Sequence, residues 1–312
     1  MPIENFQRGE KMFIKIYLCF FIYAFLGWCT EVVYAALNES KFINRGFLNG
    51  PYCPIYGFGV IAVVNLLTPI HDNLFLLFLG SVFVTSVIEL FTGFILEKIF
   101  KHRWWDYSDR PFNIGGYICP LFSLMWGLAC LIVVDRIHPM VLRLINIIPD
   151  MFSVIILIAF TIAFVIDIIA TINTIFKLNK KMERIEELSA IIKKSSNELG
   201  DSLAAGAISI ASKKESIENK MYQDKEKLEK KFEQTKLEME SDIADIIQKR
   251  KKALEDVKNA LNRELYETNI FGSKRLLKAF PGWKPRNNRE ALKMLRDYVI
   301  KKSQKKKDKE NM

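Results

Sequence analysis

The sequence predicts an all-α protein, in which a polytopic membrane bundle of about five spans is followed by a long cytoplasmic coiled coil. Composition gives the first observation: residues 1–176 hold 11 of the 45 Lys and Arg residues and 12 of the 35 Asp and Glu residues, and residues 177–312 hold the other 34 and 23. An apolar, nearly neutral half joined to a charged half is typical of a membrane domain with an aqueous appendage. Apolar runs in the first half and an eleven-residue repeat in the second are the other two observations.

The first half contains apolar runs close to the roughly 20 residues that cross a bilayer core. They are Met12–Leu37, Pro51–Ile70, Leu74–Leu96, Ile114–Val134 and Met151–Phe176. The second and fourth are rich in Gly and Pro, so counts of four or six spans stay open as alternatives. The first run is too long for a signal-peptide core and lacks a clear cleavage site, so we expect a retained helix.

Basic residues in the short loops indicate the orientation, because they favour the cytoplasmic face. One face would carry Lys41, Arg45, Lys98, Lys101, Arg103, Arg110 and the basic tail. The other face would carry only Arg8, Lys11, Arg136 and Arg143. This asymmetry predicts a multi-pass protein of the plasma membrane with its C-terminal tail in the cytoplasm.

Residues 177–265 form the predicted coiled-coil region. Apolar residues recur there every eleven positions, at Leu188, Leu199, Ile210, Met221, Phe232, Ile243, Leu254 and Leu265. Eleven residues in three turns predict long helices that are straight or slightly right-handed in their supercoil. We expect the stripe to pack on a second copy, on a partner helix or on itself, with a break or hairpin near Gly200 and Gly206.

Residues 266–312 form the third predicted region. The segment NIFGSKRLLKAFPGWKP interrupts the repeat, and a short helix from about Arg289 to Lys302, capped by Asn287 or Asn288, is expected to follow it. The last residues, KKSQKKKDKENM, predict a disordered basic end that favours anionic lipid. No basic platform interleaved with aromatic residues is present, so nucleic-acid binding is not predicted.

The sequence predicts no catalytic, cofactor-binding or metal site. Its five cysteines include no CxxC pair, and an odd number inside apolar runs is typical of small buried residues. The three histidines fall in separate loops. Phosphate-binding, zinc-protease, serine-hydrolase and dinucleotide motifs are all missing from the sequence. We therefore do not expect an enzyme.

Acidic residues inside the apolar runs give the first candidate residues. Glu31, Glu89 and Asp167 interrupt three runs, and a charge at bilayer depth costs roughly 3 kcal/mol or more unless it faces protein or water. Glu89 and Glu97 lie eight positions apart, so both carboxylates share one face of the third helix. That face is predicted to point inward, either to hold the bundle together or to take part in transport.

A loop rich in Gly, Pro and Asn, FINRGFLNGPYCPIYGFG, follows the first helix and contains the candidates Asn44 and Arg45. Irregular backbone beside a membrane is tolerated only where protein buries it or where it lines water. We therefore predict that this loop is a buried re-entrant cap. Arg45 is expected to pair with a carboxylate among Glu31, Glu89 and Glu97. These five residues form the predicted polar membrane core.

A second loop, HRWWDYSDRPFNIGGYICP, has the same character. Its aromatic residues are expected at the membrane interface around an aspartate, on the same face as the first loop. Together the two loops would form a polar plug, a binding surface or a gate. The candidate residues of this predicted interfacial loop are Arg103, Trp104, Trp105, Asp106, Tyr107 and Asn113.

Several long strings in the first half resemble a known family. GWCTEVVY, NRGFLNGPYCPIYGFG, IELFTGFILEKIFKHRWWDYSDRPFNIGGYICP and SLMWG occur in order over about Leu26–Pro139, and they resemble the bacterial ABC-transporter type IV, or CmpB-like, membrane family. RLLKAFPGWKP is similar to the end of some longer members. The resemblance implies a polytopic bacterial membrane protein. It offers a permease subunit as the role of this protein, and it implies no substrate.

Two functional hypotheses from different classes follow. The first is a transporter-type membrane subunit, with Glu31, Glu89 and Arg45 around a polar cavity and its ATPase on another chain, since this chain has no phosphate-binding loop. The second is a membrane-anchored scaffold that recruits partners through its coiled coil. A membrane-embedded enzyme acting on lipid is a third alternative, which no catalytic motif supports.

Overall fold

The computed structural model describes residues 2–218, 225–266, 272–280, 283–285 and 289–310. These residues are nearly all α-helical, as the sequence predicts, and they include one short antiparallel ladder between β1 (His102–Arg103) and β2 (Lys284–Pro285). The chain divides into two compact units. The first, the membrane unit, contains residues 1–179 and 269–289, and the second contains residues 180–268 and 290–312.

Three helices are long and apolar enough to cross a membrane. They are α1 (Pro2–Glu39), α3 (Leu74–Phe100) and the first part of α6 (Asp150–Glu218). The apolar start of α6 belongs to the membrane unit, and its charged continuation belongs to the second unit. The predicted first, third and fifth spans therefore correspond to helices of spanning length.

The second and fourth predicted spans are shorter helices. They correspond to α2 (Pro54–Leu67) and to α4 (Pro120–Ile132), which a π-helical turn connects to α5 (His138–Ile147). Each of α2 and α4 has a proline in its first turn, where the missing N–H costs no helical hydrogen bond. Because neither helix reaches spanning length by itself, the count of five spans stays a prediction.

Close packing of α1 and α2 depends on small residues at their contact. A Cβ atom on Gly27 would lie 2.3 Å from the Tyr56 ring, and one on Gly57 would lie 2.7 Å from Phe20. These pairs also show that α2 runs antiparallel to α1. The aromatic side chains of Phe20 and Phe21 are buried there and extend the contact to Phe164 of α6.

The second unit contains a helical hairpin of α6 and α7 (Lys225–Tyr266). The Arg250 guanidinium donates to the Glu198 carbonyl at 2.6 Å, and Gly206 lies against Ile243, so the two helices are antiparallel. The break expected near Gly200 and Gly206 is wrong, because α6 continues to Glu218. Ile210, Met221 and Phe232 of the eleven-residue row have side chains outside the described part, and the coiled coil stays a prediction.

Two further helices follow. Helix α8 (Ser273–Ala279) belongs to the membrane unit, and α9 (Arg289–Glu310) belongs to the second unit from Glu290 onward. The predicted C-terminal helix is thus present, but it continues to Glu310 through most of the basic end that the sequence predicted to be disordered. Its predicted caps, Asn287 and Asn288, lie outside the described residues.

Candidate functional site

One end of the membrane unit is built from three irregular segments. The cap loop (residues 40–53) connects α1 to α2, and the interfacial loop (residues 101–119) connects α3 to α4. The third, which we name the C-terminal clasp, consists of residues 272–280 and 283–285. Contacts among these segments and the helix ends position every candidate residue described below.

Asp167 of α6 fixes the cap loop. Its carboxylate accepts hydrogen bonds from the backbone N–H of Asn49 at 3.1 Å, the Asn49 amide at 2.9 Å and the backbone N–H of Gly50 at 2.6 Å. The Asn49 amide also donates to Thr171 one turn later on the same helix. The Asp167 carboxylate therefore provides hydrogen-bond acceptors for backbone N–H groups of the loop, which have no partners in a regular helix or sheet.

Arg275 of the clasp binds the same loop from another side. Its guanidinium donates to the carbonyls of Gly46 and Phe47 at 2.6 and 3.1 Å, and to the Asn49 side-chain oxygen at 3.1 Å. Burial lowers the pKa of Arg275 to about 10, although the nearby Asp167 carboxylate raises it. The side chain therefore carries its charge at neutral pH. Asn49 bridges this cation and the Asp167 anion.

Glu31 forms the first polar centre between helices. Its Oε1 accepts a hydrogen bond from the Tyr56 hydroxyl of α2 at 2.7 Å. The Arg45 Nε lies 3.6 Å from Oε2, an ion pair slightly too long for a hydrogen bond, and the guanidinium covers the Tyr34 ring at 5.2 Å. Arg45 thus pairs with one of its three predicted partners, Glu31.

Glu89 forms the second polar centre, on the buried face of α3. Its Oε1 accepts a hydrogen bond from the Tyr107 hydroxyl of the interfacial loop at 3.1 Å, and its buried Oε2 has no hydrogen-bond partner among the residues that the structure describes. Tyr107 stacks on Phe122 of α4 with ring centroids 4.6 Å apart. Burial raises the pKa of the Tyr107 phenol, and its interaction with Glu89 raises it further, so the hydroxyl stays a hydrogen-bond donor.

The two centres are electrostatically connected. Tyr107 interacts with both Glu89 and Glu31, and it also interacts with Tyr56, the donor to Glu31. Tyr56 donates to the Glu31 carboxylate of α1, and Tyr107 donates to the Glu89 carboxylate of α3. Glu89 is buried whereas Glu31 is partly exposed, so the cost of holding a carboxylate away from water falls mainly on Glu89.

Glu97 lies at the end of α3 and organises the interfacial loop. It accepts hydrogen bonds from Arg103 at 2.8 Å and from the Tyr117 hydroxyl at 2.7 Å. Arg103 also lies 3.5 Å from the Asp106 carboxylate. Although Glu97 shares a helix face with Glu89, its partners are different. Arg103 and Tyr117 come from the two ends of the interfacial loop, so Glu97 holds these ends together.

An aromatic cluster connects the interfacial loop to the clasp. Trp283 is 1% exposed, and its ring lies 4.5 Å from His102 and 5.6 Å from Trp104. Phe280 packs edge-on against Trp104 at 4.7 Å. His102 Nε2 lies 2.5 Å from the Asn179 side-chain oxygen, and burial lowers the pKa of this histidine.

Trp104 therefore differs from its predicted place at the membrane interface. It is 9% exposed, since the clasp covers it, whereas Phe112 of the same loop is 86% exposed. Trp105 and Tyr107 are half-buried, and the indole of Trp105 donates to the Tyr117 carbonyl at 2.8 Å. The interfacial loop thus turns most of its aromatic side chains toward protein.

The two predicted asparagines both stabilise loop backbone. The Asn44 amide donates to the Asn49 carbonyl at 2.8 Å, and its oxygen accepts from the Trp28 indole at 2.8 Å. The Asn113 amide donates to the carbonyls of Ser108 and Arg110 at 3.2 and 2.8 Å. We assign both side chains to the support of turns.

Sequence reasoning missed several residues of this end. Asp167 was noticed as a buried charge, but its partners Asn49 and Arg275 were not, since they lie 118 and 108 positions from it. Trp283 and Tyr56 were also missed. The one available signal was the apolar and aromatic content of RLLKAFPGWKP, which is unusual for a polar tail. Among the described residues, no group of three His, Cys, Asp or Glu side chains could hold a metal ion.

Comparison with known proteins gives one family. Residues 18–172 match the family model described as Putative ABC-transporter type IV, which confirms the resemblance and extends it beyond Leu26–Pro139 at both ends. The matched segment includes Glu31, Glu89, Glu97 and Asp167, but it ends before the clasp. No curated protein and no solved structure matches the chain.

Proposed function

Because residues 18–172 match the family model described as Putative ABC-transporter type IV, we propose that this chain is the permease-type subunit of a membrane transporter. The observation that carries the proposal is the pair of inward carboxylates, Glu31 and Glu89, with the hydroxyls of Tyr56 and Tyr107 bound to them. Ionisable residues inside a membrane domain mark ion and substrate pathways. The two polar centres, at Glu31 of α1 and at Glu89 of α3, together form our proposed transport site.

The energy source in this proposal is an ATPase on another polypeptide. The sequence contains no G-x-x-x-x-G-K-[ST] loop to hold nucleotide phosphates. A nucleotide-binding subunit must therefore associate with this chain if ATP drives transport. The end of the membrane unit that carries both loops and the clasp supports such a partner, because its exposed side chains include two aromatic and two basic residues of the loops, Phe42, Phe112, Lys101 and Arg110.

Affinity purification in mild detergent tests the proposal. We expect a tagged chain to retain a second protein that contains a phosphate-binding loop and hydrolyses ATP. Recovery of cytoplasmic or envelope-assembly proteins without any nucleotide-binding chain would contradict it. As a matched control, the same purification with Asp167→Ala reports whether retention of the partner needs an ordered cap loop.

A membrane-anchored scaffold is the second candidate, and the α6–α7 hairpin favours it. Several of its apolar side chains are about half exposed or more: Ile191, Leu203, Ile208, Leu237 and Ile246. Such positions are available to a partner helix or a second copy. Leu237→Lys should then release hairpin-bound partners, while Glu238→Lys places the same lysine at the adjacent exposed position as a control.

We also propose that the protein lies in the plasma membrane with several spans and with its tail, cap loop and clasp in the cytoplasm. Cysteine labelling from outside intact cells checks this orientation. Lys194→Cys, at a side chain 81% exposed, should be protected from a membrane-impermeant maleimide, and Arg136→Cys, also 81% exposed, should be labelled. The unsubstituted chain, whose five cysteines all lie before residue 177, is the control. Labelling of position 194 from outside would overturn the orientation.

A further inference from the structure

Glu31, Glu89, Glu97 and Asp167 lie on helices of the membrane unit, and the partners of their carboxylates differ in one respect. Glu31 pairs with Arg45, and Glu97 pairs with Arg103. Asp167 interacts with the Arg275 cation and accepts three N–H donors from the cap loop. For Glu89, no ion pair is found among the residues that the structure describes.

Glu89 is also the carboxylate with the least compensation by hydrogen bonds. The residue is 8% exposed, and within the described part of the chain one oxygen has a single neutral donor in Tyr107 and Oε2 has no hydrogen-bond partner. An ionised carboxylate in this position would be buried with one neutral hydrogen bond and no cation. Burying a charge in that way is strongly unfavourable, so the group gains a proton instead.

None of the surrounding titratable groups that the structure describes supplies a positive charge that would favour the ionised form of Glu89. Tyr107 approaches Glu89 from the interfacial loop, and Cys119 and Glu31 interact with Tyr107 without supplying a positive charge. Tyr56 of α2 is bound to Glu31, and Glu97 on the same helix is bound to Arg103. On α4, Ser123 accepts a hydrogen bond from Ser86 and is not titratable.

We propose that Glu89 is a proton-binding site that loads and releases one proton during the working cycle. The Oε2 atom takes the proton and forms an O–H bond, while Tyr107 continues to donate to Oε1. Release returns the proton to water and leaves the carboxylate with Tyr107 as its donor.

This inference rests on the proposed transport function for its role, since a loaded proton would accompany or oppose the movement of substrate. Proton binding itself is a property of the membrane unit and can be measured without a nucleotide-binding partner. Loss of that partner in purification would therefore overturn the transporter proposal and leave the proton site standing. Conversely, recovery of a nucleotide-binding partner without proton binding at Glu89 would overturn the proton site and leave the transporter proposal unaffected.

Infrared difference spectroscopy of the purified full chain in lipid nanodiscs tests the site, with pH as the variable. We expect the carbonyl band of a protonated carboxylic acid at acid pH and its loss as the pH rises. The band should be absent from Glu89→Gln at every pH and present in Glu31→Gln and Glu97→Gln. An identical band in wild type and Glu89→Gln, or no carboxylic acid band in the wild type, would overturn the proposal.

Tyr107→Phe gives a second measurement that does not depend on the folding of Glu89→Gln. It removes the one donor to the carboxylate, and a hydrogen bond to the charged form favours that form. The carboxylic acid band should therefore persist to more alkaline pH than in the wild type. Tyr117→Phe, which removes a donor from Glu97, is the matched control and should leave the Glu89 band unchanged. A Tyr107→Phe band that titrates at lower pH would contradict the proposed site.

Discussion

Asp167→Ala should lower the stability of the membrane unit, because it removes the acceptor that holds the cap loop. The substitution leaves the backbone N–H groups of Asn49 and Gly50 without their acceptor. Each buried donor that loses its partner costs about 1–3 kcal/mol, so we expect a loss of roughly 2–6 kcal/mol. Arg275 would also lose the nearby negative charge that offsets its burial.

Thermal unfolding in detergent, followed by tryptophan fluorescence, measures this effect. Asp167→Asn should lie between wild type and Asp167→Ala, because one amide oxygen can still accept while the amide nitrogen faces a donor. Asp109→Ala removes an exposed aspartate from the interfacial loop and serves as the control. An unfolding midpoint for Asp167→Ala equal to that of Asp109→Ala would show that the carboxylate does not hold the cap loop.

Trp283→Ala should detach the C-terminal clasp from the interfacial loop. The indole is almost fully buried between His102 and Trp104, and truncating a large buried aromatic side chain costs about 3–5 kcal/mol. The β1–β2 ladder is only two residues long on each strand, so it cannot hold the segment without the aromatic cluster. Detachment would also remove Arg275 from the cap loop.

Amide hydrogen exchange of α8 and of the cap loop reports the detachment directly. We expect faster exchange in both segments for Trp283→Ala, with little change in α3. Phe112→Ala, at an aromatic residue that is 86% exposed in the interfacial loop, should leave the exchange of α8 as in wild type. Unchanged α8 protection in Trp283→Ala would mean that the clasp is held by other contacts.

Local patterns were sufficient to predict the helical class, the inward face of Glu89 and the pairing of Arg45 with an acidic residue. Each of these depends on spacing within one segment or on the cost of burying charge. Glu89, Gly93 and Glu97 repeat every four positions, so their common face follows from helix geometry alone. The match to residues 18–172 likewise depends on contiguous strings.

The clasp was not predictable in the same way. Arg275 binds the carbonyls of Gly46 and Phe47, which lie more than 200 positions earlier in the chain. A contact over such a sequence distance leaves no periodic pattern in either segment from which it could be predicted. Gly272 illustrates the point: its φ of +74° and its contact with Asn49 suit the start of a docked segment, but in the sequence it is only a helix breaker. Trp104 was placed at the interface because its covering residue, Trp283, was unknown.

The central claim is tested most directly by ATP hydrolysis in nanodiscs that contain the chain and the nucleotide-binding partner that we propose for it. The claim is that Glu89 works in transport, whereas Asp167 and the clasp maintain structure. We predict that Glu89→Gln keeps the partner and the unfolding midpoint of the wild type but changes the rate of ATP hydrolysis and its pH dependence. Unchanged hydrolysis in Glu89→Gln, or a loss of stability as large as that of Asp167→Ala, would contradict the account.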